Sequence, residues 1–229
     1  MKTFKAIGVL MSYPQPEWLA HLGEISALLV EEAFLPKKQL QAVQAFIDEL
    51  KGEDLYSAQE TYVSTFDRGR SHCLHLFEHI HGESRDRGQA MVNLSDAYAE
   101  KGLFIDEAEL PDYIPLFLEF LSLCPVDEAV ALLGEPIDIM ATIATRLHKR
   151  GSSYAALFDA LVALSRVKPS REKIEAVLAQ ETEDDSLEAL DKEWEEAAAF
   201  AGQPGQSACG GCKPPDDGLR IKINQVGGI

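Results

Sequence analysis

The sequence predicts an all-α protein: one helical domain of about ten helices over residues 1–201, followed by a flexible tail over residues 202–229. Three observations predict this class. Apolar residues recur at helical spacing through most of the first 200 residues, and no stretch alternates convincingly as a strand would. Prolines and glycines separate the apolar segments at helix-like lengths. After Gly202 the chain is rich in glycine, proline and polar residues, which bury too little apolar surface to order that segment.

Helical periodicity predicts four helices in the first third of the chain. A short apolar helix ends before Tyr13-Pro14-Gln15-Pro16. The next apolar stripe begins at Trp18 and runs up to Pro36, which suits the start of a third helix ending at Gly52. A fourth helix, over residues 55–66, leads into a polar central stretch.

The central stretch, residues 62–94, holds four of the six histidines. Residues 67–71 read as a turn, after which Ser71 is expected to cap a short helix through about Ile80. Ser84 is expected to cap the next helix, residues 85–101, which Gly102 ends. Dense polar groups in this stretch need specific partners wherever they are buried.

The second half continues the helical pattern. Pro111 and Pro115 are compatible with a helix only in or before its first turn, and the apolar run 116–123 predicts a central, buried helix. Helices are also predicted over residues 126–133, 137–150 and 154–167, and after Ser170 as a cap. An acidic amphipathic helix is predicted from Glu181 to about residue 200.

Composition and charge narrow the function classes. The chain has 229 residues, enough for one well-packed core. Its 38 acidic residues exceed its 21 basic ones, which gives a net charge of −17 and argues against nucleic acid as the main partner. The apolar segment 6–11 is too short for a signal peptide, and no apolar run approaches the ~20 residues of a membrane helix. A cytoplasmic protein with no membrane span is therefore expected.

Two residue clusters allow metal or thiol chemistry. His72, His75 and His79 would share a face if they lay on one helix, and with a carboxylate such as Glu78 they could ligate zinc or iron; structural histidines are the alternative. Cys209-Gly210-Gly211-Cys212 has no second pair to complete a zinc site and no α/β framework for a redox site. No nucleophile elbow, phosphate loop or dinucleotide fingerprint is present, so the sequence does not predict an enzyme.

Residues 62–94, YVSTFDRGRSHCLHLFEHIHGESRDRGQAMVNL, closely resemble the signature of the respiratory nitrate reductase assembly chaperones, the delta-subunit group. The most specific segments are FDRGR at residues 66–70, LFEH at 76–79 and GQAMV at 88–92. The similarity extends from LMSYP at residues 10–14 to WEE at residues 194–196, which is nearly all of the chain except the tail. The sequence departs from the family at Tyr113, where a histidine is common, and at His72 and His75, where small or apolar residues are common.

The resemblance implies an all-helical chaperone dedicated to a molybdoenzyme, not an enzyme itself. Its implied partner is the apo catalytic (alpha) subunit of nitrate reductase, bound in the cytoplasm through its N-terminal region. The chaperone would keep that subunit competent for insertion of the molybdenum cofactor and an iron–sulfur cluster before membrane docking. The expected binding mode is an amphipathic peptide helix in a hydrophobic groove with an acidic rim. A helical metal-binding enzyme that uses His72, His75 and His79 is the alternative from another class.

The residues expected to bind the partner or to shape its groove lie mostly in the central stretch. They are Asp67, Arg68, Arg70, Glu78, His79, His81, Glu83, Ser84, Arg85, Asp86 and Arg87, with Asp112 and Glu119 as secondary candidates. The alternative for the whole set is a lattice of side chains that locks turns without touching a partner. No metal and no cofactor is assigned to the chain.

Overall fold

The computed structural model describes residues 1–79, 85–105 and 109–180, with the backbone alone for residues 85, 86 and 180. These residues lie in one compact unit, Met1–Asp185. Within them the chain forms eleven α-helices and two 3₁₀ turns, and the extended pairing is limited to an isolated antiparallel bridge between His75 and Tyr113. The all-α class is thereby confirmed. The predicted acidic helix, the boundary at residue 201 and the Cys209/Cys212 tail lie outside the described residues.

The helix bounds follow the apolar segments of the sequence closely. In chain order they are α1 (Lys2–Leu10), α2 (Pro16–Leu19), α3 (Leu22–Glu32), α4 (Lys37–Gly52), α5 (Leu55–Phe66), α6 (Arg85–Glu100), α7 (Ile114–Leu123), α8 (Val126–Leu133), α9 (Ile137–Lys149), α10 (Ala155–Leu164) and α11 (Arg171–Gln180). The 3₁₀ turns, Arg70–His72 and Leu76–Glu78, lie between α5 and α6.

The core is built from helix pairs that are distant in sequence. Helix α1 packs against α7 and α3, and α10 packs against α9 and α4. Side chains such as Leu118 and Phe158 are fully buried, each worth ~1.5–3 kcal/mol relative to exposure. Helices α1 and α7 approach closely at Gly8, where a Cβ would stand 3.0 Å from the carbonyl oxygen of Pro115. No helix among the described residues is long and apolar enough to cross a bilayer.

Several predicted helix ends are confirmed by their capping geometry. The Ser170 hydroxyl accepts the backbone N–H of Lys173 at 3.4 Å, as an N-cap does. Gly102 has φ +76° and follows the end of α6, where Leu103 N–H donates to the Tyr98 carbonyl at 3.0 Å. That is a Schellman motif, in which glycine adopts the left-handed conformation at no steric cost. Helix α8 has the bounds that its sequence predicts.

One long helix predicted from Trp18 is instead two. Helix α2 starts at Pro16 and ends at Leu19, and α3 starts at Leu22. At the break, His21 has φ −104° and ψ 12°, its N–H donates to the Trp18 carbonyl at 3.0 Å, and its ring bonds the Glu24 carboxylate at 2.9 Å. The apolar spacing continues across this break, so periodicity alone does not reveal it.

The helix predicted from Ser71 to about Ile80 is wrong. The backbone is extended at Cys73 (φ −57°, ψ 148°) and at His75 (φ −107°, ψ 113°). Long-range pairing replaces the local helix: Ile114 N–H donates to the Leu74 carbonyl at 2.8 Å, and Leu76 N–H donates to the Asp112 carbonyl at 3.0 Å. Ser71 is not a cap, because its hydroxyl bonds the ring of His72 at 2.8 Å.

The apolar run 116–123 behaves largely as predicted. Phe117, Leu118, Phe120 and Leu121 of α7 are at most 5% exposed, whereas Leu123 at the helix end is 53% exposed. The helix is thus central along most of its length and reaches the surface at its last residue.

Candidate functional site

A cleft of about 350 Å³ lies beside the two 3₁₀ turns. The turns form one wall, and helices α9 and α11 form the others. Its lining combines charged, polar and apolar side chains: Arg70, Ser71, Glu78, His79, Asp138, Ile139, Thr142, Arg146, Lys173 and Val177. The volume falls in the range typical of ligand-binding pockets.

Three of the predicted site residues meet in this cleft: Arg70, Glu78 and His79. Glu78 forms an ion pair with Arg87 of α6 at 2.6 Å, and both side chains are about three-quarters buried. This pair joins the second 3₁₀ turn to α6. Because this ion pair is short and partly buried, it stabilises the fold more than an exposed ion pair does.

The imidazole of His79 is hydrogen-bonded to the backbone of the 3₁₀ segment, residues 70–78, which contains the two 3₁₀ turns. Its Nε2–H donates to the Cys73 carbonyl at 2.9 Å. Burial lowers the pKa of His79 from its ordinary value, and the nearby charge of Arg146 lowers it further. The imidazole is therefore suited to a neutral, hydrogen-bonding role at pH 7. Burial also raises the pKa of the Cys73 thiol, which disfavours a reactive thiolate.

Asp112 holds the 3₁₀ segment against the start of α7. Its side chain is fully buried and accepts the Phe77 backbone N–H at 3.0 Å and the His75 Nδ1–H at 3.2 Å. A buried carboxylate is tolerated when hydrogen bonds replace its hydration. With no exposed surface, Asp112 can shape a groove but cannot meet a peptide directly in this conformation.

Arg146 of α9 is a cleft residue that the sequence reasoning missed. It is only 8% exposed, and its Nη1–H donates to the Ser71 carbonyl, which fastens the first 3₁₀ turn to α9. Thr142 lines the same cleft one turn earlier. The available signal was this polar pair at i and i+4, beside the apolar stripe of an amphipathic helix.

Asp138 of α9 binds the start of α11, which forms one wall of the cleft. Its Oδ1 accepts the Ser170 backbone N–H at 2.8 Å, and its Oδ2 accepts the Lys173 ammonium at 3.0 Å. Partial burial raises the pKa of Asp138, but these two partners outweigh that effect and lower the pKa overall. One carboxylate therefore ties the start of α11 to α9.

The other predicted site residues are distributed around this cleft or away from it. Asp67 and Arg68 are exposed in the turn after α5 and do not line it. Glu119 lies on α7 and pairs with Lys5 of α1 at 2.6 Å. His81, Glu83 and Ser84 lie outside the described residues, as do the side chains of Arg85 and Asp86.

The three histidines proposed as metal ligands do not share a helix face. His72 bonds Ser71, His75 bonds Asp112 and His79 bonds the Cys73 carbonyl. In the described part of the chain, no group of three or more His, Cys, Asp or Glu side chains has the geometry to hold a metal ion. The helical spacing that suggested a metal site depended on a helix that does not form.

Comparisons with known proteins point to one family. The family model described as nitrate reductase delta subunit matches residues 33–160. The chain is 42% identical over 187 residues to the nitrate reductase molybdenum cofactor assembly chaperone NarJ of Escherichia coli strain K12, across 82% of this chain and 79% of that one. It is 39% identical over 209 residues to the probable nitrate reductase molybdenum cofactor assembly chaperone NarW of the same strain, across 91% and 87%.

The fold has a relative among solved structures. A crystal structure of a candidate redox enzyme maturation protein from Archaeoglobus fulgidus matches 70% of this chain and 91% of its own, with a TM-score of 0.51 and 25% identity. The helical arrangement is thus shared with a maturation protein.

Proposed function

Because the chain belongs to the nitrate reductase delta subunit family, we propose that it is the dedicated chaperone of a respiratory nitrate reductase and not an enzyme. Its client is the apo catalytic (alpha) subunit, which it binds through the N-terminal region in the cytoplasm. Binding keeps that subunit competent to receive the molybdenum cofactor and an iron–sulfur cluster before membrane docking. The observation that carries the proposal is the identity of 42% over 187 residues to a named assembly chaperone.

We further propose that the cleft beside the 3₁₀ turns contacts the client. It gathers Arg70, Glu78 and His79, which lie in the segments of most specific family resemblance. Ile139 and Val177 supply apolar surface beside these polar groups. A lining of mixed polarity suits a peptide segment whose anchor side chains are apolar and whose backbone needs hydrogen-bond partners.

The proposal is tested by calorimetric titration of the full chain with a synthetic peptide from the N-terminal region of the catalytic subunit. A scrambled peptide is the specificity control. Saturable binding of the native peptide alone is expected. Because the chain carries a net charge of −17, binding of a basic peptide should weaken at higher salt. No binding to the peptide or to the whole apo subunit would overturn the chaperone assignment.

Filling the cleft separates its role from that of the rest of the surface. Val177→Trp places a large ring at the cleft wall, where the native side chain is 43% exposed and a change is tolerated by the core. Val30→Trp is the matched control, because Val30 is 49% exposed on α3 and does not line the cleft. We expect Val177→Trp to weaken peptide binding about tenfold, equivalent to ~1.4 kcal/mol, with no fall in melting temperature. Equal affinities for the two variants would move the client to another surface.

A further inference from the structure

A second depression lies on the surface where α1 meets α7. It is a shallow groove of about 210 Å³ and shares no lining residue with the cleft. Its floor includes Val9, Pro115 and Leu116, and charged side chains line it at Lys5, Glu109 and Glu119. The groove exists because Gly8 lets the two helix backbones approach closely, which leaves an apolar floor at their junction.

The charge of the groove and its small volume limit what it can bind. Two carboxylates face one ammonium group, on a chain whose net charge is −17. Its volume is below the range of ~300–1,000 Å³ typical of small-molecule sites, so it suits one long side chain rather than a whole ligand or a helix. An apolar floor with a carboxylate rim complements a lysine or arginine, whose aliphatic stem packs on apolar surface while its charge stays at the solvent edge.

The ammonium already present in the groove is a weak competitor. Lys5 Nζ lies 2.6 Å from Glu119 Oε1, but the two side chains are 57% and 40% exposed. An ion pair with this exposure is worth at most ~1 kcal/mol, so an incoming cation can displace Lys5 at little cost. Tyr113 also lines the groove, and its hydroxyl is engaged with that of Tyr62 at 3.3 Å.

We propose that this groove binds one lysine or arginine side chain of the client's N-terminal segment, with the stem on Val9, Pro115 and Leu116 and the cation at Glu109 and Glu119. The inference rests on the proposed function, because it takes the client as the source of the side chain. It makes the groove a second contact point, where charge selects a residue of the client.

The test is a double-mutant cycle on the full chain. The probes are the N-terminal client peptide and a series in which each lysine is replaced by norleucine or each arginine by citrulline, one at a time. The chain variants are Glu109→Gln, Glu119→Gln and Lys5→Met, with Glu135→Gln as the control, because Glu135 is exposed and lies outside the groove. Melting temperatures establish that each variant is folded.

The glutamate variants and the lysine variant are expected to change the affinity for the peptide in opposite directions. Glu109→Gln and Glu119→Gln should each weaken binding of the unmodified peptide about three- to fivefold, whereas Lys5→Met should strengthen it by removing the competing ammonium. One uncharged peptide should bind weakly to the native chain and lose nothing further in Glu109→Gln, which identifies the residue that the groove takes.

The outcomes also separate this inference from the proposed function. If the native chain binds the peptide but both glutamine variants match Glu135→Gln, the groove assignment is overturned and the chaperone function stands. If the native chain binds neither the peptide nor the apo subunit, both fail together. Concentration-dependent dimerisation that Glu109→Gln abolishes would make a second copy of this chain the occupant and would also overturn the proposal.

Discussion

At the scale of single residues, Asp112 connects the central stretch to the start of α7 through two side-chain hydrogen bonds. Asp112→Ala removes the buried carboxylate that accepts the Phe77 N–H and the His75 Nδ1–H. Leaving two part-buried donors without their acceptor, together with the void at the buried Asp112 side chain, should cost about 3 kcal/mol, or roughly 6–12 °C in melting temperature for a chain of this size. Thermal unfolding followed by circular dichroism measures the loss.

The matched control for this prediction is Asp48→Ala. Asp48 is 73% exposed and pairs with Lys51 at 3.0 Å across one helical turn, so its removal should change stability by less than ~0.5 kcal/mol. Equal melting temperatures for the two variants would show that the Asp112 contacts do not hold the 3₁₀ segment.

His79 gives the fold a defined response to acid. Burial and the charge of Arg146 lower its pKa below the ordinary 6.5. Above pH 6.5 both folded and unfolded chains hold His79 neutral; as pH falls below 6.5 the unfolded chain takes up the proton more readily, so stability falls. His79→Gln should flatten the dependence of unfolding free energy on pH below 6.5 by up to ~1.4 kcal/mol per pH unit.

Urea unfolding between neutral and mildly acidic pH measures that slope. His148→Gln is the control for removing an imidazole, since His148 is 58% exposed on α9. A slope in His79→Gln identical to that of the native chain would mean that the buried imidazole does not couple folding to pH.

At the scale of elements, the contact between α1 and α7 depends on one glycine. In Gly8→Ala the new Cβ would lie 3.0 Å from the Pro115 carbonyl oxygen and 3.3 Å from Leu118 Cβ, so the helices must separate. The strain should outweigh the gain in helix propensity and cost about 1–2 kcal/mol. Gly88→Ala in α6 is the matched control, because nothing lies within 4 Å of its added Cβ. This substitution should stabilise the folded protein by ~0.5–1 kcal/mol. The same sign for both changes in a urea titration would contradict the packing argument.

The attachment of α11 is also localised, at Asp138. Asp138→Ala removes the acceptor of Ser170 N–H and the partner of the Lys173 ammonium. Amide hydrogen exchange in α11 should accelerate about tenfold, which corresponds to ~1.4 kcal/mol of lost protection, while exchange in α10 stays unchanged. Asp127→Ala removes an exposed pair with Arg166 and should leave α11 unaffected. Uniform acceleration across all helices would instead indicate global destabilisation.

The helices whose ends are set by neighbouring residues in the sequence could be predicted. Helix α8 begins after a proline and is bounded by short-range signals, so its ends follow from the sequence. The 71–80 segment has its partners elsewhere: His75 meets Asp112, 37 positions away, and Ser71 meets Arg146, 75 positions away. Ser71 as a cap predicted a short helix there, but these long-range hydrogen bonds override the local propensity. The same distance in sequence explains why Arg146, Asp138 and Lys173 were not assigned to the cleft.

At the scale of the whole molecule, the helical class follows from periodicity repeated along the chain, whereas the cleft and the groove arise from how helices meet. The cleft joins the 3₁₀ turns to α9 and α11, and the groove joins α1 to α7. Glu119, a secondary candidate from the sequence, lines the acidic groove, and its contact with a partner stays a prediction. Glu109 lines the same groove but lies in no motif of the sequence. The fold class can thus be predicted from the sequence alone. A binding surface formed by two helices that are distant in sequence can be recognised only when their packing is known.

Three buried tyrosines and one partly buried tyrosine make the whole molecule sensitive to alkali. Burial raises the pKa of Tyr62, Tyr98, Tyr113 and Tyr154 above the ordinary value of 10.0. Their contribution to stability is fully present below pH 10 and is lost above it, because the unfolded chain releases protons that the folded chain retains. Each group adds up to ~1.4 kcal/mol per pH unit to that loss, and a domain stability of ~5–15 kcal/mol is exhausted within a few pH units.

We therefore expect one cooperative alkaline unfolding transition. Tyrosinate absorbance and far-ultraviolet circular dichroism, followed together as pH rises, measure it: the buried rings of Tyr62, Tyr98 and Tyr154 should ionise only as helicity is lost. Tyr13 and Tyr56 are 41% and 81% exposed and supply the absorbance change that precedes unfolding. Tyr56→Phe should reduce that early change without moving the unfolding midpoint. Ionisation of all six tyrosines before any loss of helicity would show that burial does not protect them.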